Sequence, residues 1–172
     1  RSHEADIREC FRMAGMSEDG KFRLRDGSHI LMRARMVSAT AAVLEWAAPG
    51  STQWETLSTG YTSDKFGFAD ANINADLHSY VYFGNAVQDF SRWSGSHAYL
   101  TAQLNPGDPA ITVGDTSGFA ATGNVIIDGN VVAYSSLTPT TIVLSAPSAI
   151  TVAVGRGVAQ TVETNSGNPK GN

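Results

Sequence analysis

The chain has 172 residues, of which 42% are apolar and only 16% charged, with 17 glycines and a net charge of −4 at neutral pH. That length holds one domain or a pair of small ones, and the composition excludes a disordered chain. The negative balance suits a nucleic-acid backbone poorly, no apolar run approaches a membrane-spanning length, and the single cysteine, Cys10, excludes an intramolecular disulfide.

Residues 2–14 place Ile7, Cys10, Phe11 and Ala14 at helical spacing behind Ser2 as a potential N-cap, which allows a short N-terminal helix with Cys10 as a small core residue on its face. From Lys21 the period becomes two. Residues 21–25 and 29–36 flank Asp26-Gly27 and read as a hairpin. A three-residue loop at 26–28 pairs Leu24 with Ile30 and Phe22 with Met32, which keeps apolar residues on one face. Arg23, Arg25, Arg33 and Arg35 then form a stripe on the other face, read either as a solvated surface or as an assembly face for acidic partners. Residues 42–47 and 52–57 flank Pro49-Gly50 and form a second hairpin carrying Trp46 and Trp54. Residues 61–77 are rich in Asn and Asp and read as a long ordered loop. The alternation of Asp70, Asn72, Asn74 and Asp76 fits Asx turns better than a calcium loop, because it lacks the EF-hand glycine and glutamate.

Residues 79–86 and 90–95 make a third hairpin, with Trp93 on its second strand. Two prolines and a glycine then break any ladder at 104–109, which reads as a linker between an N-terminal domain, 1–103, and a second module, 110–160. This module carries only Asp108, Asp115, Asp128 and Arg156 as charges between 104 and 160. Its expected strands are 110–113, 124–127, 131–135, 140–144 and 149–154, with the tightest turn at Asp128-Gly129-Asn130. Strand spacing argues for a small barrel or sandwich. A module of this size is marginal alone and gains from packing on a neighbour. Residues 161–172 are polar and aperiodic and read as an exit towards a further domain. The expected fold class is therefore all-β: an antiparallel domain of hairpins followed by a small barrel or sandwich.

The motifs of chemistry are scarce. There is no Gly-x-Ser-x-Gly elbow and no phosphate-cradling glycine motif. Ser28-His29 and Ser96-His97 are neighbours in sequence, so on a strand their side chains diverge. His3, His29, His78 and His97 show no metal-ligand spacing. Glu45 and Glu55, on strands expected to pair, are the one carboxylate couple that a glycosidase could use. No catalytic residue, cofactor or metal is assigned on this reading.

Two stretches carry a resemblance. In residues 80–95, Tyr-Val-Tyr-Phe-Gly-Asn-Ala-Val-Gln-Asp-Phe-Ser-Arg-Trp-Ser-Gly, an aromatic strand ends in Gly-Asn and a second strand ends in aromatic-x-Gly. This resembles a recurrent stretch of tailed-bacteriophage virion proteins. Residues 111–119, 123–129, 132–136 and 140–144 resemble a small β module inserted in phage tail and connector proteins, with Asn130-Val131 where an acidic residue often follows the turn. The resemblance implies a non-enzymatic structural component of a virion, in the tail, tail hub or head-to-tail connector. Its partners would be copies of itself and other virion proteins, its place the virion, made in the host cytoplasm. An alternative is a carbohydrate- or receptor-binding module of a tail fibre or adhesin, using Trp46, Trp54 and Trp93 as stacking rings. A glycoside hydrolase domain using Glu45 and Glu55 is a third reading.

Overall fold

The computed structural model describes residues 21–24, 28–71, 80–85 and 90–164, all of it strands, turns and loops with no helix among them. The expected N-terminal helix, Cys10, Arg25, Asn72, Asn74, Asp76 and the last eight residues lie outside the described residues. The described chain is all-β, as the sequence predicts. Its contacts divide it into two units: Arg1–Trp54, Thr59–Ser94 and Val162–Asn172 form the first, and Glu55–Ser58 with Gly95–Thr161 form the second.

The first sheet runs β1 (Lys21–Arg23), β2 (His29–Ser38), β3 (Ala41–Ala47), β4 (Glu55–Tyr61) in that order. The β1–β2 hairpin keeps the expected faces but not the expected pairs, since Phe22 opposes Ile30 and Lys21 opposes Leu31. Leu24 N–H donates to the Ser28 carbonyl at 2.8 Å, where the expected register paired Leu24 with Ile30. Moving both partners by one residue preserves side-chain parity, so hydrophobic patterning alone cannot separate the two registers. Phe22, Ile30, Met32, Leu44 and Trp46 are buried on one side, while Arg33, Arg35 and Glu45 alternate with them on the other. β2 and β3 meet in a two-residue turn, with Ser38 opposite Ala41 and a bulge between Met36 and Ser38.

The second sheet of this unit runs β14 (Glu163–Thr164), β7 (Ser91–Trp93), β6 (Tyr80–Asn85), β5 (Phe66–Ala71). The third expected hairpin is thus β6–β7, with Val81 opposite Trp93. The expected loop at 61–77 is corrected: β5 pairs along its whole length with β6, from Phe66 opposite Asn85 to Ala71 opposite Tyr80. Glycine, aspartate and alanine mask the strand in composition, but Phe66 and Phe68 alternate and pack 5.9 Å apart. The apolar faces of the two sheets join through Phe22 and Phe68 at 5.6 Å and Trp46 and Trp93 at 6.1 Å. Burying each such large side chain stabilises the fold by roughly 1.5–3 kcal/mol.

The second unit holds a six-stranded sheet in the order β8 (His97–Tyr99), β13 (Gly157–Gln160), β10 (Gly123–Ile127), β11 (Asn130–Thr138), β12 (Thr141–Leu144), β9 (Ala110–Thr112), curled into a half-barrel. A bridge between Leu100 and Val113, with Thr101 N–H donating to the Thr112 carbonyl at 3.0 Å, links the ends of β8 and β9. Inside lie Ile111, Val125, Ile127, Tyr134, Ile142 and Val158, all nearly or wholly buried. The expected strand at 149–154 is a single bridge, Val152 to Leu104, and the strand proper is β13. β13 is bonded on both sides and its first three residues, Gly157, Val158 and Ala159, are buried in succession, so it shows no alternation of apolar and polar residues. The stretch 104–109, expected as a linker, is bonded into this unit: Gly107 N–H donates to the Ser148 carbonyl and Ser148 N–H to the Asp108 carbonyl, both at 2.8 Å.

Candidate functional site

The arginine stripe and the carboxylate Glu45 meet on the outward face of the first sheet. Arg33 stands directly opposite Glu45, and Arg35 two residues along on the same face. Arg35 forks onto the carboxylate, its Nη2 at 2.9 Å from Oε1 and its Nε at 3.3 Å from Oε2, while Arg33 Nε donates to Oε2 at 2.6 Å. Burial raises the Glu45 carboxyl, but the hydrogen bonds and charges of Arg35 and Arg33 together outweigh it and hold the group below the ordinary carboxylate range. The Arg33 guanidinium lies 4.1 Å from the Trp54 ring centroid, a cation–π contact on a half-buried indole. Four outward residues are therefore locked to one another. Of the remaining stripe, Arg23 lies on β1 and Arg25 outside the described residues, and the side chains of neither are described.

Trp46 and Trp93 have no exposed surface. Stacking on a sugar needs an open ring face, so neither ring serves as a ligand platform in this fold. Glu55 is likewise spent within the second unit. It is 2% exposed, its Oε1 accepts from Gly157 N–H and its Oε2 from Arg156 Nη2, both at 3.0 Å, and Arg156 also reaches Asp128 at 2.9 Å. A general acid needs a raised pKa and an open approach. Glu45 has the opposite shift, and Glu55 is enclosed by its partners. Ser96 Oγ donates to the Gly118 carbonyl and His97 Nδ1 contacts the Gly95 carbonyl at 2.8 Å, so backbone groups orient both side chains. Among the described residues no group of three or more histidine, cysteine, aspartate or glutamate side chains could hold a metal ion.

One outward cluster escapes the sequence reading. Tyr82 stacks on Phe90 at 5.8 Å, Tyr80 lies 6.3 Å from Tyr82, and the Arg92 guanidinium sits 4.4 Å over the Tyr80 ring. Arg92 is in turn paired to Glu163, with Nε to Oε2 at 2.7 Å. Phe90 is 54% exposed. The period-two pattern Tyr80-x-Tyr82 carries the signal, because it places both rings opposite the buried Val81 and Phe83. No protein-family model, curated protein or solved structure matches this chain.

Proposed function

We propose that this chain is a non-enzymatic structural component of a tailed-bacteriophage virion, in the tail, tail hub or head-to-tail connector, that acts by oligomeric assembly. The observation that carries this reading is the way candidate chemical groups are used up inside the fold. Glu45 lies under two arginines, Glu55 is held by Arg156 and a backbone N–H, and Trp46 and Trp93 fill the core. What such a molecule presents is sheet faces and strand edges, the parts that assembly covers. The resemblance of 80–95 and 111–144 to virion proteins points the same way. Mass spectrometry of gradient-purified particles from the phage that encodes the chain tests it. Peptides of this chain in repeated copy number support the reading, and particles without them overturn it.

A second reading, a receptor- or carbohydrate-binding module, is favoured by the exposed Phe90 beside Tyr82. It requires glycan-array binding that Phe90→Ala abolishes without changing the fold, and it fails if the chain binds no glycan.

A further inference from the structure

We propose that the basic outward face of β2–β3 docks onto a second copy of this chain, whose Asp108 and Asp115, which flank β9, receive it. The contact rests on the assembly reading above and names its surfaces. On the basic side, Lys21 is exposed and opposes Leu31 on the same sheet face as Arg33 and Arg35. Among the described residues Lys21 has no ion pair, and Glu45 answers only one of the two arginine charges. Glu45 also fixes where those charges stand, because it takes Arg33 through Nε and leaves both terminal amino groups of that fork directed to no acceptor among the described residues. Trp54 beneath Arg33 adds an aromatic anchor, and tryptophan with arginine is the pairing enriched at the centres of protein interfaces.

The acidic side belongs to the second unit, which carries Glu55, Asp108, Asp115 and Asp128 against a single cation, Arg156. Glu55 and Asp128 already share Arg156. Asp108 and Asp115 have no ion pair among the described residues; they are held in shape by Asn105 and by Ser117 instead. Sign then selects the partner surface. A contact of the basic face with itself would bring like charges together, whereas the opposite sign is found on the second unit of a neighbouring copy. Made in both directions between two copies the contact gives a two-fold dimer, and made in one direction it repeats, giving a ring when the rotation closes.

The test is light scattering on the full chain at about 25 mM and about 500 mM salt, since screening shortens the reach of exposed charges. Wild type is expected to associate at low salt and to come apart at high salt. Lys21→Glu, and separately Asp108→Asn with Asp115→Asn, are each expected to weaken association about tenfold, as loss of complementary charge does. These side chains hold no partner whose loss strands a buried charge, unlike Arg33 or Arg35, and circular dichroism checks that each variant folds. Mixed one to one, the two variants are expected to form a discrete heterodimer and nothing larger, because each keeps one good face. Association that neither variant changes overturns the contact while leaving the assembly reading standing. A chain that stays monomeric at low salt also overturns the contact, and the particle measurement above then decides the assembly reading separately. Lys21→Glu abolishing retention on a heparin column but not self-association assigns the face to a polyanion and overturns the contact as well.

Discussion

Two arginines share one carboxylate at Glu45, and that sharing makes the group's contribution to stability depend on acid. The folded Glu45 carboxyl lies below its unfolded value, so its contribution is fully present above the unfolded pKa of about 4.3 and is lost as pH falls through the folded one. Both arginines keep two-fifths or more of their side chains in water, which caps the contribution at about 1–2 kcal/mol. Glu45→Gln is expected to be less stable than wild type by that amount in urea at pH 7, and the gap is expected to narrow at pH 3. A gap that stays constant would mean that the carboxylate charge is not what the arginines stabilise. The tryptophans divide just as sharply. Trp46 and Trp93 are wholly buried while Trp54 is half-buried beside Arg33. Acrylamide quenching of native fluorescence is expected to vanish largely in Trp54→Phe, whereas Trp46→Ala is expected to cost about 3–5 kcal/mol in urea unfolding. Quenching that survives in Trp54→Phe would show one of the core rings open to solvent.

The β10–β11 hairpin shows how a local sequence fixes an element. Ile127 opposes Asn130, so the loop is the pair Asp128-Gly129, with φ of 48° and 77°. Both values lie in the left-handed region that two-residue hairpin turns require and that glycine adopts at no steric cost. A Cβ at Gly129 meets nothing within 4 Å, so Gly129→Ala tests backbone strain alone and is expected to cost about 1–2 kcal/mol. Gly114→Ala, outside that region and 4.0 Å from Thr101 Cγ2, is the matched control and is expected to be near neutral in the same thermal melts. Equal losses at both sites would remove the turn from the explanation. Turns of this kind were legible in sequence because their chemistry is local, as were strands β2 and β3 and the β6–β7 hairpin with their alternating apolar residues, although the pairing of β2 with β3 was not. β5 and β13 were not. β5 takes its strand character from pairing with β6, which overrides its Asp, Ala and Gly content, and β13 is a central strand of small residues whose neighbours β8 and β10 are distant in sequence. The site residues divide by the same physics. Arg33 and Arg35 could be placed on a strand, whereas Trp54, expected on a strand at 52–57, stands just before β4; the locking of the arginines through Glu45 depends on register, and the exposure of Phe90 depends on tertiary packing.

At the scale of the whole chain, the second unit is discontinuous, and its stray piece is what the chain order hides. Glu55–Ser58 groups with Gly95–Thr161, and the tie is chemical: Glu55 accepts from Arg156 and from Gly157 N–H across roughly a hundred residues of sequence. Removing the cation beside a carboxylate that is 2% exposed is costly, because little water can take its place. Arg156 itself keeps 35% of its side chain in water, so Arg156→Ala in the full chain is expected to cost about 2–3 kcal/mol, below the range for a fully buried pair. A fragment of residues 95–164 lacks Glu55 and leaves Arg156 only the exposed Asp128, so the same substitution there is expected to cost no more than about 0.5 kcal/mol. A double-mutant cycle of Glu55→Ala with Arg156→Ala in the full chain covers the case of a fragment that does not fold, and it should return a coupling of about 1.5–3 kcal/mol. A coupling near zero would mean that Glu55–Ser58 is only lodged in the second unit rather than held there by this pair. A large coupling would make Glu55 part of the module, so that an excised module needs the carboxylate supplied to reach its stability in the chain.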